Sequence, residues 1–191
     1  MTVKNEIIRK SIHLFMLIIP LSILILEKRF ILGVLGGLIL LAMTVEILRL
    51  LWPEFDRVFE NIFGSLLREH ERRHLTGSTY LLIGAFLAIL LFDKTIALTV
   101  LLFVVVSDGL GALTGRMWGR HPFTRNKTLE GCAVFLLMAG AIVLLTMRDH
   151  IFIGMLGATV AFVIDVFVTG LDDNLTIPLG AGTVMHVLIK L

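Results

Sequence analysis

The sequence predicts an all-α integral membrane protein, a single bundle of about seven transmembrane helices with its N-terminus in the cytoplasm. Three observations predict it. Of the 191 residues, 57% are hydrophobic and the mean hydropathy is +0.96, where soluble domains sit near about 45–50% apolar. Only 17% are charged, too few to cover the surface of a soluble fold of this size. The apolar residues fall in continuous runs rather than the alternation of a membrane barrel, so helices are expected. A net charge of +2 gives no reason to expect a nucleic-acid partner. The single cysteine, Cys132, excludes a disulfide framework and a cysteine-based metal site.

A crossing takes about 20 apolar residues. The runs at 12–26, 30–52, 76–92, 95–115, 131–147, 151–170 and 175–189 each approach that length. Glu27-Lys28-Arg29, Asp93-Lys94 and Arg148-Asp149-His150 make short charged turns between them. Lys4, Arg9 and Lys10 before the first run resemble the start of a signal peptide, but no small-residue cleavage site follows, so that run is read as retained. Seven crossings put 12 of the 17 Lys and Arg residues on the side that holds the N-terminus, leaving Lys28, Arg29, Lys94, Arg148 and Lys190 opposite. The positive-inside rule makes the first side cytoplasmic. There the triplets Asn126-Lys127-Thr128 and Asn174-Leu175-Thr176 would escape glycosylation.

The segment 53–75 is not a crossing. Phe55, Val58, Phe59, Ile62, Phe63, Leu66 and Leu67 recur at helical spacing between charges. That pattern predicts an amphipathic helix on the cytoplasmic membrane surface, or one docked on the bundle ends. The whole chain, residues 1–191, is read as one transmembrane domain that includes this segment and a cytoplasmic loop at 116–131.

Charges inside apolar runs cost at least about 2.5–3.5 kcal/mol unless paired or wet, so each is a functional candidate. Glu46 and Arg49, three residues apart, can pair and snorkel. Asp108 follows the apolar stretch 101–106 and opens a helix carrying Gly109, Gly111, Gly115 and Gly119. Glycines at that spacing serve close helix packing. They also let a phosphate approach the backbone, and the carboxylate beside them suits Mg²⁺. The following loop holds Arg116, Arg120, Arg125 and Lys127, then Thr128, Glu130 and Gly131 where the next helix begins. A lysine, a hydroxyl and free N–H groups at a helix N-terminus make an anion site, although the loop is neither a Walker A sequence nor GxGxxG. Asp172, Asp173 and Asn174 offer hard oxygen ligands or a helix cap, with Asp165 about two turns away. Glu6, Arg9, Lys10 and His13 share a helical stretch, and the histidine enters an apolar run.

These stretches together resemble the CTP-dependent lipid kinases: dolichol kinase, phytol kinase and the CTP-using diacylglycerol kinases. The resemblance rests on Glu6…Arg9-Lys10…His13, Glu46…Arg49, Leu75-Thr76-Gly77-Ser78-Thr79-Tyr80, Ser107-Asp108-Gly109…Gly115-Arg116…Gly119, Asn126-Lys127-Thr128-Leu129-Glu130-Gly131 and Asp172-Asp173-Asn174-Leu175-Thr176…Pro178. The block from Asp108 to Gly131 is shared with phosphatidate cytidylyltransferases, but that family's closing signature is absent and the DDNLTIPL ending resembles the kinases. Asp165 stands where similar kinases more often carry Glu.

The resemblance implies transfer of the γ-phosphate of CTP to a membrane lipid alcohol of the polyprenol, phytol or diacylglycerol type. It assigns catalysis to Asp108, Lys127, Asp165 and His13, with Asp165 assisting deprotonation of the alcohol. It assigns nucleotide binding to Arg116, Arg120, Lys127, Thr128, Glu130, Gly131, Lys10 and Asn174. Mg²⁺ or another divalent cation would be held by Asp108, Asp172 and Asp173. The partners implied are the lipid alcohol, CTP and the bilayer, with no nucleic acid; the oligomeric state and the particular alcohol are open. Three alternatives stand beside this reading. A cytidylyltransferase would make a CDP-lipid from the same CTP. A small transporter would use the intramembrane carboxylates as proton relays. His70-Glu71-Arg72-Arg73-His74 matches the HExxH zinc-protease pattern, in a charged run with no evident third ligand.

Overall fold

The computed structural model describes residues 3–124, 127–168 and 170–191, the side chains of Val3, Lys4, Glu6, Ile7, Lys10 and His70 excepted. Ten α-helices occupy the described residues: α1 (Val3–Phe15), α2 (Ile18–Ile25), α3 (Lys28–Leu51), α4 (Pro53–Phe63), α5 (Gly77–Leu91), α6 (Lys94–Leu102), α7 (Gly109–Trp118), α8 (Leu129–Thr146), α9 (Ile151–Phe167) and α10 (Asp173–Lys190). The only extended pairing among these residues is an isolated bridge between Pro122 and Thr128. A helix therefore covers each of the seven apolar runs. Four stretches are long and apolar enough to cross a membrane: Lys28–Leu51, Lys94–Trp118, Leu129–Thr146 and Arg148–Phe167.

The first run is broken between α1 and α2. Pro20 has no N–H to offer the carbonyl of Met16, and its ring crowds that carbonyl. The chain turns there, with Leu17 N–H bonded to Leu14 O at 3.0 Å. The centre of the bundle is the α6–α7 stretch, which packs against α2, α5, α8 and α10. Its two helices are joined by a π-helical turn, Phe103–Asp108, which is buried almost throughout. A π-turn inserts a residue into the helical repeat and often marks a functional site; here it ends on Asp108. At the periphery, α3 packs on α5 and turns Leu40, Leu41 and Ile47 outward. Leu145 on α8 and Phe152 on α9 are likewise exposed. In a membrane protein such surfaces meet lipid.

Two glycine crossings bring helices to backbone contact. Gly111 of α7 faces Gly131 of α8, and a Cβ on Gly131 would lie 2.7 Å from the Gly111 carbonyl oxygen. Gly84 of α5 lies against the carbonyl of Asn174, where a Cβ would overlap the oxygen. That carbonyl is the one Pro178, four residues on, cannot satisfy within α10.

The amphipathic segment is helical only over Pro53–Phe63, and no α4 residue is buried. From 64 to 76 the chain is irregular, apart from a 3₁₀ turn at His70–Arg72. The apolar period through Leu67 does not extend the helix because Glu71 is drawn into the protein interior, where it is 4% exposed.

Candidate active site

Lys127 sits in a tight loop between α7 and α8. Its carbonyl accepts the N–H groups of Phe123 (2.9 Å) and Thr124 (3.1 Å), and Leu129 N–H returns to His121 O at 2.9 Å. An edge-on contact of Phe123 with Phe167, ring centroids 6.3 Å apart, ties the loop to the end of α9. Thr128 caps α8, its Oγ1 accepting Gly131 N–H at 3.3 Å. Thr128 and Gly131 therefore form the helix N-terminus that the sequence indicates. Asn126, the remaining position of that motif, lies outside the described residues.

The Lys127 side chain runs back into the bundle. Its Nζ lies 2.6 Å from Asp165 Oδ1 and 3.5 Å from Asp108 Oδ1. Burial opposes the charge on Nζ, but the carboxylates of Asp108 and Asp165 outweigh it and hold the ammonium well above the usual lysine range. Asp173, at the start of α10, joins the group. Burial, the Asp108 carboxylate and, in opposition, Lys127 leave its pKa raised to about 7. Three helices and a loop thus converge on one ammonium among three carboxylates.

This cluster forms part of the wall of a 1780 Å³ cavity, which Arg116, Thr128, Gly131 and Asp172 also line. Other predicted site residues lie elsewhere. His13 Nε2 donates to Val104 O in the π-turn at 3.0 Å, bracing α1 against α6–α7. Glu130 pairs with His121 Nδ1 at 2.7 Å on an exposed face. Arg120 is exposed and, with Glu130 and Asn174, does not line the cavity. Asn174 Nδ2 donates to Gly77 O (3.2 Å) and Asp172 Oδ1 (2.7 Å), and Asp172 Oδ1 also caps α10 by accepting Asn174 N–H at 3.0 Å. The side chain of Lys10 lies outside the described residues.

Among the described residues no group of three or more His, Cys, Asp or Glu side chains stands close enough to enclose a metal ion. The donors present are hard carboxylate oxygens on the cavity wall. That set fits Mg²⁺, which takes one or two carboxylates and completes its shell with water and phosphate oxygens.

A second polar cluster was legible in the sequence only as its Glu46–Arg49 pair; Glu71 was not. Arg49 and Glu46, 2% and 3% exposed, form an ion pair at 2.5 Å. They do not snorkel: Arg49 donates inward to the carbonyls of Glu71 (2.9 Å) and His74 (2.7 Å). Glu46 accepts Thr76 N–H (2.8 Å) and Glu71 accepts Gly77 N–H (2.8 Å) and Arg68 N–H (2.6 Å). Two carboxylates thus satisfy the open N–H groups at the start of α5. The zinc-protease pattern dissolves on the same geometry. A 3₁₀ turn does not stack residues i and i+4 as the motif's α-helix does, and Glu71 is committed to backbone donors. Glu71 lacked a signal because it sits in a run of charges that periodicity assigns to solvent.

No family model and no solved structure matches the chain. Among curated proteins, it is 28% identical over 172 residues to CTP-dependent diacylglycerol kinase 1 of Schizosaccharomyces pombe, covering 78% of this chain and 76% of that one. It is 26% identical over 176 residues to the protein of the same name from Eremothecium gossypii, covering 77% of this chain and 55% of the relative. For the Saccharomyces cerevisiae protein of that name the figures are 29% over 89 residues, 46% of this chain and 31% of the relative. The order of motifs along the chain and these similarities agree: the relatives named are CTP-dependent diacylglycerol kinases, one group of the lipid kinases that the motifs resemble.

Proposed function

We propose that this protein is a CTP-dependent lipid kinase, transferring the γ-phosphate of CTP to the hydroxyl of a membrane lipid alcohol and releasing CDP. The observation that carries the reading is Lys127, an ammonium held among Asp108, Asp165 and Asp173 on the wall of a large cavity. Phosphoryl transfer needs positioning and charge neutralisation more than covalent chemistry from the protein. The names of the relatives make diacylglycerol the first alcohol to test.

In this mechanism Lys127 and Arg116 hold the triphosphate, with the N-terminus of α8 at Thr128 and Gly131 adding N–H donors. Arg120 and Lys10 supply further positive charge at the cytoplasmic end, and Glu130 and Asn174 hold the loop and the α10 turn in register. Asp108 and Asp173, with Asp172, would hold Mg²⁺, which when bound neutralises charge on the transferring group. Asp165 orients Lys127 and takes the proton of the alcohol as its oxygen bonds to the γ-phosphorus and the bond to the β-phosphate oxygen breaks. His13 braces Asp108 through the π-turn. The cavity opens to the cytoplasm, and seven crossings with the N-terminus inside bring CTP and the lipid hydroxyl to one interface.

The test is an assay of CTP against a panel of lipid alcohols in nanodiscs, with product analysis. CDP and a lipid monophosphate are expected. Pyrophosphate and a CDP-lipid would instead identify a cytidylyltransferase, and no nucleotide consumption with any alcohol would leave a transporter. Protease accessibility of tags at 1 and 191 in sealed vesicles tests the orientation; the two ends on the same face would overturn the seven-crossing arrangement.

A further inference from the structure

The segment 64–74 lines the same cavity as the acidic cluster. Its Arg68, Arg72 and His74 line the cavity together with Tyr80 of α5. The segment also brings Glu69 to the lining, so its own charge is mixed. Asp108, Asp165, Asp172 and Asp173 carry four carboxylates against Lys127 and Arg116. Such a wall cannot by itself hold a nucleoside triphosphate, because its excess negative charge repels the ligand. Counter-charge must come from a metal ion or from further cations in the lining. Of the arginines that the segment adds to the lining, Arg72 is paired with the exposed Glu60 at 2.5 Å. Arg68 is the half-buried arginine of the segment.

Its placement is built. Arg68 N–H donates to Glu71 Oε2 at 2.6 Å, and Arg49 binds the carbonyls of Glu71 and His74 from the membrane side. From the other end, Asn5 Nδ2 of α1 donates to Ser65 O at 2.9 Å. An irregular segment of this length, rich in arginine, has no reason of its own to stay in one conformation. Here a buried ion pair and a buried glutamate hold it over the cavity.

We infer that Arg68 is a binding residue for the phosphates of the nucleotide, and that Arg49 and Glu71 are positioning residues that hold it in the lining of the cavity that Lys127 also lines. The inference deepens the kinase reading and rests on it. A guanidinium on phosphate makes charge-assisted, often bidentate bonds, which a lysine reproduces only in part. The experiment compares R68Q, R68K and R73Q in the full-length protein in nanodiscs. Arg73 is exposed and outside the cavity lining, so R73Q is the control. Readouts are equilibrium binding of radiolabelled CTP, KM for CTP, KM for diacylglycerol and kcat.

For R68Q the expected result is a CTP KM and Kd raised by about tenfold or more, the loss of one charge-assisted contact. The diacylglycerol KM and kcat should stay within about twofold. R68K should recover part of the loss, and R73Q should match wild type. An unchanged CTP KM in R68Q overturns the inference while leaving the kinase reading intact. So does a fall in kcat and in affinity for both substrates together with lower thermal stability, which is the mark of a merely structural role. A wild-type protein that neither binds nor consumes CTP overturns the kinase reading itself, and this inference with it.

Discussion

Removing the Lys127 amine is the most informative perturbation, because stability and activity should separate. In Lys127→Met the methylene packing is kept and the ammonium is lost. Asp108 and Asp165, 6% and 7% exposed, then face each other and Asp173 without the ammonium that lies between them. Breaking a buried pair by deleting one partner costs about 3–5 kcal/mol. Lys127 keeps 23% of its side-chain exposure, so the lower end, about 3 kcal/mol, is expected. For a chain of this size that lowers Tm by roughly 6–12 °C. The variant should also lose nucleotide turnover, since the phosphates lose their central cation. Adding Asp165→Asn removes one of the stranded charges. The double variant should regain most of the Tm and none of the turnover. Differential scanning fluorimetry in detergent and a coupled CDP assay read the two quantities. A Lys127→Met protein with wild-type Tm and turnover, or a double variant no more stable than the single one, would refute the reasoning.

Other outcomes follow from the same geometry. Gly84→Ala places a methyl on the Asn174 carbonyl, with α5 and α10 both fixed by packing; a loss of about 1–3 kcal/mol is expected from overpacking, read as reduced folded yield and Tm. Arg49→Met strands Glu46 and frees the carbonyls of Glu71 and His74. A loss of about 3 kcal/mol should accompany faster proteolysis within 64–76, mapped by mass spectrometry. The pKa of Asp173, raised from the usual carboxylate range to about 7, makes two signed predictions. Its contribution to stability is fully present below the unfolded carboxyl pKa and is lost as pH rises through about 7. A metal ligand must be deprotonated, so the apparent affinity for Mg²⁺ should strengthen as pH rises through that value. Both dependences should flatten in Asp173→Asn, which Mg²⁺ titrations of turnover at pH 6 and pH 8 would check.

The sequence by itself determined the class, the apolar helices and the helix N-terminus beside Lys127. Apolar runs are contiguous, so each of the seven was visible before any contact was known; the break of the first run at Pro20 was not anticipated, and Pro178 lies inside an unbroken α10. Lys127, Thr128 and Gly131 are adjacent in the chain, so their place at a helix N-terminus follows from local rules. Asp108 and Asp165 stood out because lipid makes an isolated carboxylate costly. Their partner was decided by tertiary structure, since ion pairing between residues 38 apart depends on how α9 packs beside the loop. Glu71 shows the limit most clearly. Its neighbours are charged, so hydropathy assigns it to solvent, yet Arg49 and the first N–H groups of α5 bring it inside. The helix predicted through Leu67 fails for the same reason. An amphipathic period records which side chains prefer lipid or water, whereas the path of the backbone beyond Gly64 is set by a buried ion pair reaching across from α3.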